Sequence, residues 1–139
     1  MEALRNKSNH KYVYNINTSK VSGINDHEYI YGNVYGGTIN CTNTVITGNA
    51  INVNVSADSY HTPVINGDVY GGVFNGTEIN GKIYDGYFNT YLDGSYEILG
   101  GYFDYCRSDR LKLGTDAYIY GSVEYNDKYY FAVCTGSGS

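Results

Sequence analysis

A seven-residue pattern recurs through the middle of the chain and constrains its fold more than any other feature. Val34-Tyr35-Gly36-Gly37-Thr38-Ile39-Asn40 returns as Val69-Tyr70-Gly71-Gly72-Val73-Phe74-Asn75, as Ile83-Tyr84-Asp85-Gly86-Tyr87-Phe88-Asn89 and as Ile98-Leu99-Gly100-Gly101-Tyr102-Phe103-Asp104. A shorter element, apolar-x-Gly-x, leads into these copies at Ile30-Tyr31-Gly32-Asn33, Ile65-Asn66-Gly67-Asp68, Ile79-Asn80-Gly81-Lys82 and Leu92-Asp93-Gly94-Ser95. The unit is 14 residues from Ile65 to Ile79 and 15 from Ile83 to Ile98, and an insertion stretches it between 40 and 65. Such a period is the mark of a repeat architecture.

Each unit holds two short apolar runs split by glycine, with no helical period between them. Strands this short bury nothing alone, but stacking gives every unit a neighbour above and below. The pattern therefore predicts an all-β fold, a short Gly-rich β-solenoid over 30–104. Asn40, Asn75, Asn89 and Asp104 should share one corner and hydrogen-bond along the stack. Gly-Gly, Asn-Gly and Asp-Gly are also hairpin signals, so an antiparallel meander, sandwich or barrel is the rival. Between Tyr118 and Val133 a hairpin turning at Asn126-Asp127 is expected to cap the end. Residues 1–29 lack the repeat: 1–11 read as a short helix or loose arm, and Tyr12 to Ile16 as a strand. Residues 105–134 form a basic loop plus the hairpin, and Thr135 to Ser139 a Gly/Ser tail outside the fold.

The repeats resemble the Gly-rich β-solenoid repeats of phage and clostridial proteins over about residues 30–104. That resemblance implies a non-enzymatic scaffold for adhesion or interaction, often oligomeric and often on a phage fibre. A looser similarity is to pentapeptide-repeat proteins, from the five-residue steps Val34 to Ile39 and Phe74 to Ile79. The Ala-Asp/Asn-Leu signature of that family is missing.

Composition narrows the partners. There are 18 tyrosines against 4 phenylalanines and no tryptophan; an apolar ring with a polar tip suits a binding surface. The net charge of −5 argues against general binding of a nucleic-acid backbone, which calls for a basic face. No apolar run approaches a membrane span. Cys41, Cys106 and Cys134 follow no metal or disulfide spacing and read as small buried thiols in a reducing cytoplasm. The Asn, Ile, Tyr and Lys usage fits an AT-rich genome, bacterial or phage. The open ends of a short solenoid and its many tyrosines also predict a homo-oligomer.

Templates for catalysis fit poorly, and no cofactor is expected. Asp58, Ser59 and His61 are neighbours in one loop, which does not give triad geometry. His10, His27 and His61 are dispersed, so no metal site is expected even where His27 lies beside Asp26 and Glu28. Asp85 with Asp104, or Glu78 with Glu97, would serve a β-helix glycosidase only across a common groove. One segment stands out: Tyr105-Cys106-Arg107-Ser108-Asp109-Arg110-Leu111-Lys112 holds two of the three arginines. Guanidinium groups beside tyrosines hold an anion bidentately and stack on rings. Arg107, Arg110 and Lys112, with Tyr102 and Tyr105, are therefore the expected ligand site. The function expected is sequestration of a host component, a protein or a small anionic nucleotide signal, in the host cytoplasm. The alternatives are a virion-surface adhesion segment binding carbohydrate through tyrosine faces, and a β-helix carbohydrate-active enzyme.

Overall fold

In a computed structural model the described residues are 29–40, 43–58, 60–89, 92–104 and 111–136, together with the backbone of 4–5, 11–12 and 16–17. Strands and turns make up these residues, with no helix among them. One sheet runs β1 (Leu4–Arg5), β2 (Lys11–Tyr12), β4 (Tyr29–Tyr31), β7 (Val45–Ile46), β9 (Val64–Ile65), β11 (Glu78–Ile79). The other runs β3 (Ile16–Asn17), β5 (Val34–Tyr35), β8 (Ala50–Ser56), β10 (Val69–Phe74), β12 (Lys82–Phe88), β14 (Gly101–Asp104), β16 (Lys128–Thr135), β15 (Ala117–Tyr125). Two short strands lie off this path: β6 (Thr38–Asn40) pairs with β8, and β13 (Glu97–Ile98) pairs with β12. From β2 to β14 every pairing is parallel, and the chain alternates between the sheets. That is a β-solenoid, as the repeat requires, and not a meander of hairpins.

Three inward columns make the core. Ile30, Ile46, Ile65 and Ile79 stack along the first sheet, and Val34, Ala50, Val69, Ile83 and Ile98 along the second. Past the glycine bend, Ile39, Val55, Phe74, Phe88 and Phe103 form the third. All are buried. Each such side chain contributes about 1.5–3 kcal/mol of transfer free energy. The three phenylalanines stack face to face, at 4.9 Å and 4.8 Å between centroids. Successive members of the Val34 column are 16, 19, 14 and 15 residues apart. The 19-residue coil contains the inserted loop, where one Asp58 carboxylate oxygen accepts the N–H groups of Tyr60 and His61 and contacts His61 Nδ1 at 2.8 Å. These bonds, the Tyr60 N–H first and the His61 side chain next, hold the Asp58 carboxyl below its ordinary pKa. The carboxylate thus orders a turn.

Glycine is required at two places for different reasons. Gly48, Gly67 and Gly81 stack so closely that a Cβ on each would lie 2.1 to 2.3 Å from the carbonyl oxygen of the glycine one coil below. At the bend, Gly36, Gly37, Gly71, Gly72, Gly86 and Gly101 have positive φ, and Asn52 takes the same conformation at φ 55°, which asparagine tolerates better than most residues. The position after the close-packed glycine carries the coil-to-coil ladder. Asn33 Oδ1 accepts from Asn49 N–H, Asn49 Oδ1 from Asp68 N–H, and Asp68 Oδ1 from Lys82 N–H, at 2.8, 2.8 and 2.9 Å.

Three expectations change. The Asn40 column is real: Asn40 opposes Ser56, and Asn75, Asn89 and Asp104 follow the stacked phenylalanines. Asn75 Nδ2 donates to the Val55 carbonyl one coil below at 3.5 Å, but no described bond joins one side chain of this column to the next. Asn89 Oδ1 accepts from the Tyr130 hydroxyl and Asp104 meets Lys128 at 3.4 Å, so the cap engages this corner. At the other end, Leu4–Arg5 is extended and antiparallel to Lys11–Tyr12, where a helix or loose arm was expected. Lys11–Tyr12 and Ile16–Asn17 add a rung beneath Ile30–Tyr31 and Val34–Tyr35, so the stack starts before residue 30. Finally, Thr135 belongs to β16, opposite Ala117, rather than to a tail. The hairpin is as expected: β15 and β16 turn at Asn126 and Asp127, both with positive φ, and β16 lies antiparallel on β14.

Candidate functional site: the tyrosine columns

Alternation along the strands puts one set of residues inside and the other outside. In the second sheet the outward set before the glycine bend begins Tyr35, Ile51 and Tyr70. Tyr84 continues it, its ring 4.9 Å from that of Tyr70 and only 6° from parallel. Tyr35, Tyr70 and Tyr84 are each about 40% exposed. Beyond the bend the outward set is Thr38, Asn54, Val73, Tyr87 and Tyr102. Tyr87 stacks on Tyr102 at 4.7 Å and on Tyr125 of the cap at 4.2 Å, and meets the Tyr130 ring edge-on. Tyr120 of the hairpin lies beside Tyr102 and, second to burial, helps hold its hydroxyl above the ordinary tyrosine pKa. Two tyrosine columns thus flank one bend, and the hairpin leans on the second.

Parallel stacking has a chemical consequence. Where rings stack coil on coil, as Tyr70 on Tyr84 and Tyr87 on Tyr102, each covers one face of the other. Tyr70, Tyr87, Tyr102 and Tyr130 are all held above the ordinary tyrosine pKa, in each case first by burial against neighbouring rings. In Tyr70 the Asp68 carboxylate adds to this. The hydroxyls therefore stay protonated at neutral pH and can both donate and accept.

The predicted ligand residues are distributed otherwise. Tyr105, Arg107 and Arg110 lie outside the described residues. Tyr102 is half-buried in the second column, with one face against Tyr87. Lys112 is engaged with the preceding coil: its ammonium donates to the Gly94 carbonyl at 2.6 Å and sits 4.8 Å from the Tyr96 ring centroid. It also extends a corner column of alternating charge, Asp68, Lys82, Glu97, Lys112. No described contact joins Lys112 to Tyr102.

The carboxylate pairs do not share a groove. Glu78 is in the first sheet, bound by Asn80 Nδ2, whereas Glu97 is in the second, opposite Lys82. Asp85 accepts from the Gly86 N–H at the bend, and Asp104 is at the far corner beside Lys128. Among the described residues no three His, Cys, Asp or Glu side chains converge as a metal site, and no helix is long and apolar enough to cross a membrane. His10, His27, Ser59, Cys41 and Cys106 lie outside the described residues. Cys134 is free and half-buried, hydrogen-bonded to Tyr118.

The sequence reading gives the basic loop as the ligand site and tyrosine faces as a second binding surface; the structure adds the register of those faces, while Tyr105, Arg107 and Arg110 lie outside the described residues. The signal for that register is present in the repeat itself, since Tyr35, Tyr70 and Tyr84 hold its second position. No protein-family model matches the chain, nor does any curated protein or solved structure.

Proposed function

We propose that the chain is a non-enzymatic interaction protein that binds a host protein through the column Tyr35, Ile51, Tyr70, Tyr84. The observation that carries this reading is the parallel Tyr70–Tyr84 stack, both rings about 40% exposed. Interface cores are enriched in tyrosine and poor in charge, and a rigid, pre-stacked ring loses little conformational entropy on binding. A carbohydrate partner fits less well at the Tyr70–Tyr84 pair, because sugar stacking needs ring faces and each of these rings covers one face of the other. The likeness of the repeats to phage and clostridial solenoids ties the reading to a phage or prophage setting and to the host cytoplasm.

The test compares host proteins captured by the immobilised wild-type chain and by the double variant Tyr70→Ala/Tyr84→Ala. A partner held by the wild type and at least tenfold more weakly by a folded double variant is the expected result, a loss of about 1.4 kcal/mol. Equal capture by both, or repeated turnover of a glycan by the wild type, would end the proposal.

A further inference from the structure

The C-terminal end of the solenoid finishes in an edge. Strand β15 is the last strand of its sheet, and its only described partner is β16. It is nine residues long, from Ala117 to Tyr125, and most of it is exposed. Natural edges of this length are usually blunted by charges, prolines, β-bulges or a covering element, and of these β15 carries one charge and one register shift. β15 has no proline and one charged residue, Glu124, in a chain of net charge −5. Midway along it, the register against β16 shifts between Ile119 and Gly121. There a groove of about 320 Å3 opens, lined by Ile119, Tyr120, Gly121, Ser122 and Phe131. A Cβ built on Gly121 meets no atom within 4 Å.

We propose that β15 is a self-association edge, where two copies of this chain pair antiparallel about a two-fold axis through Gly121. Two observations select a second copy in this arrangement. Among the described residues, the opposite end of the stack offers only the two-residue strands β1 and β3, so head-to-tail pairing with these strands would leave most of the nine-residue edge unpaired. An isologous contact matches β15 with itself, and it closes. The sequence is also compatible with its own reverse about Gly121. Ala117 faces Tyr125, Tyr118 faces Glu124, Ile119 faces Val123 and Tyr120 faces Ser122, so no two like charges oppose each other. The missing side chain at Gly121 lets the two backbones approach at the axis. This inference does not depend on the tyrosine column of the preceding section, which lies on a different part of the surface.

The experiment is sedimentation velocity on the full chain at tens of micromolar, a rough working range for a stable interface. The wild type should sediment as a dimer. Gly121→Lys, whose side chain meets open space in the single chain, should weaken the dimer at least tenfold with an unchanged far-UV circular dichroism spectrum. Register is tested by Ile119→Glu and Val123→Lys: each alone should weaken the dimer, and an equimolar mixture should restore it, since residues 119 and 123 face across the axis. A monomeric wild type, a dimer indifferent to Gly121→Lys, or a mixture no tighter than its components would overturn the proposal.

Discussion

Replacing Gly67 by alanine tests the close packing of the coils. A Cβ at this position would lie 2.2 Å from the Gly48 carbonyl oxygen, 2.4 Å from the Gly48 carbonyl carbon and 2.6 Å from Asn49 Oδ1. None of these is the far end of a flexible side chain: two are backbone atoms, and the third is fixed as the acceptor for Asp68 N–H. Ordinary contact begins near 3.4 Å, so the coils would have to part by about 1.2 Å, the difference between 3.4 and 2.2 Å. The bonds beside the glycine, Asn66 N–H to the Ile46 carbonyl at 2.9 Å and Asp68 N–H to Asn49 Oδ1 at 2.8 Å, would then exceed hydrogen-bonding range. Overpacking costs about 1–3 kcal/mol, and two weakened hydrogen bonds add about 1 kcal/mol each. The expected destabilisation is about 3–5 kcal/mol. Gly67 is not among the glycines with positive φ, so backbone strain adds nothing. Denaturant unfolding followed by far-UV circular dichroism reads the effect. A Gly67→Ala chain within about 0.5 kcal/mol of the wild type, inside the range of ordinary surface substitutions, would show that the coils are not packed glycine on carbonyl.

Phe88→Ala removes the middle ring of the phenylalanine stack between Phe74 and Phe103 and should cost about 3–5 kcal/mol in the same assay. Asn49→Ala leaves Asp68 N–H without its acceptor and should cost about 1–2 kcal/mol. Asn49→Asp should cost less than half of that, because Asp68 already fills this role for Lys82. Alkaline pH should destabilise the chain. Tyr70, Tyr87, Tyr102 and Tyr130 have folded pKa values raised above the ordinary one, mainly by burial. Their contribution to stability is therefore complete below about pH 10 and lost as pH rises through the folded values. Tyrosinate absorbance of the native chain should lag that of the denatured chain, and coincident titration curves would refute the shift.

The solenoid was legible because its repeat is a list of what a stacked coil needs: apolar residues facing in, glycine at the bend, and phenylalanine in register with phenylalanine. The hairpin was legible because Asn126-Asp127 can take two successive positive φ angles between apolar arms. The ladder was placed at the wrong corner. Asparagine after Phe or Ile and asparagine after glycine look alike in sequence. Only the three-dimensional arrangement shows that the cap reaches Asn89 and Asp104 while Asn33, Asn49 and Asp68 bond coil to coil. The N-terminal rung was missed because Lys11–Tyr12 and Ile16–Asn17 reproduce the strand positions without the glycines that marked the other units. The surroundings of Lys112 could not be read from its own segment, because its column neighbours, fixed by coil length, lie 15 and 30 residues earlier at Glu97 and Lys82. Glycine counts also could not separate Gly67, needed for close approach, from Gly72, which also needs positive φ.

The most direct test of the binding column is site-specific photocrosslinking in the host cell. A photoreactive phenylalanine analogue is placed in turn at positions 35, 70 and 84, which are exposed on the second sheet, and at 64, in the first. The account predicts one common protein adduct from 35, 70 and 84 and none of that mass from 64. An adduct formed as strongly from 64, or three unrelated adducts from the column positions, would contradict it.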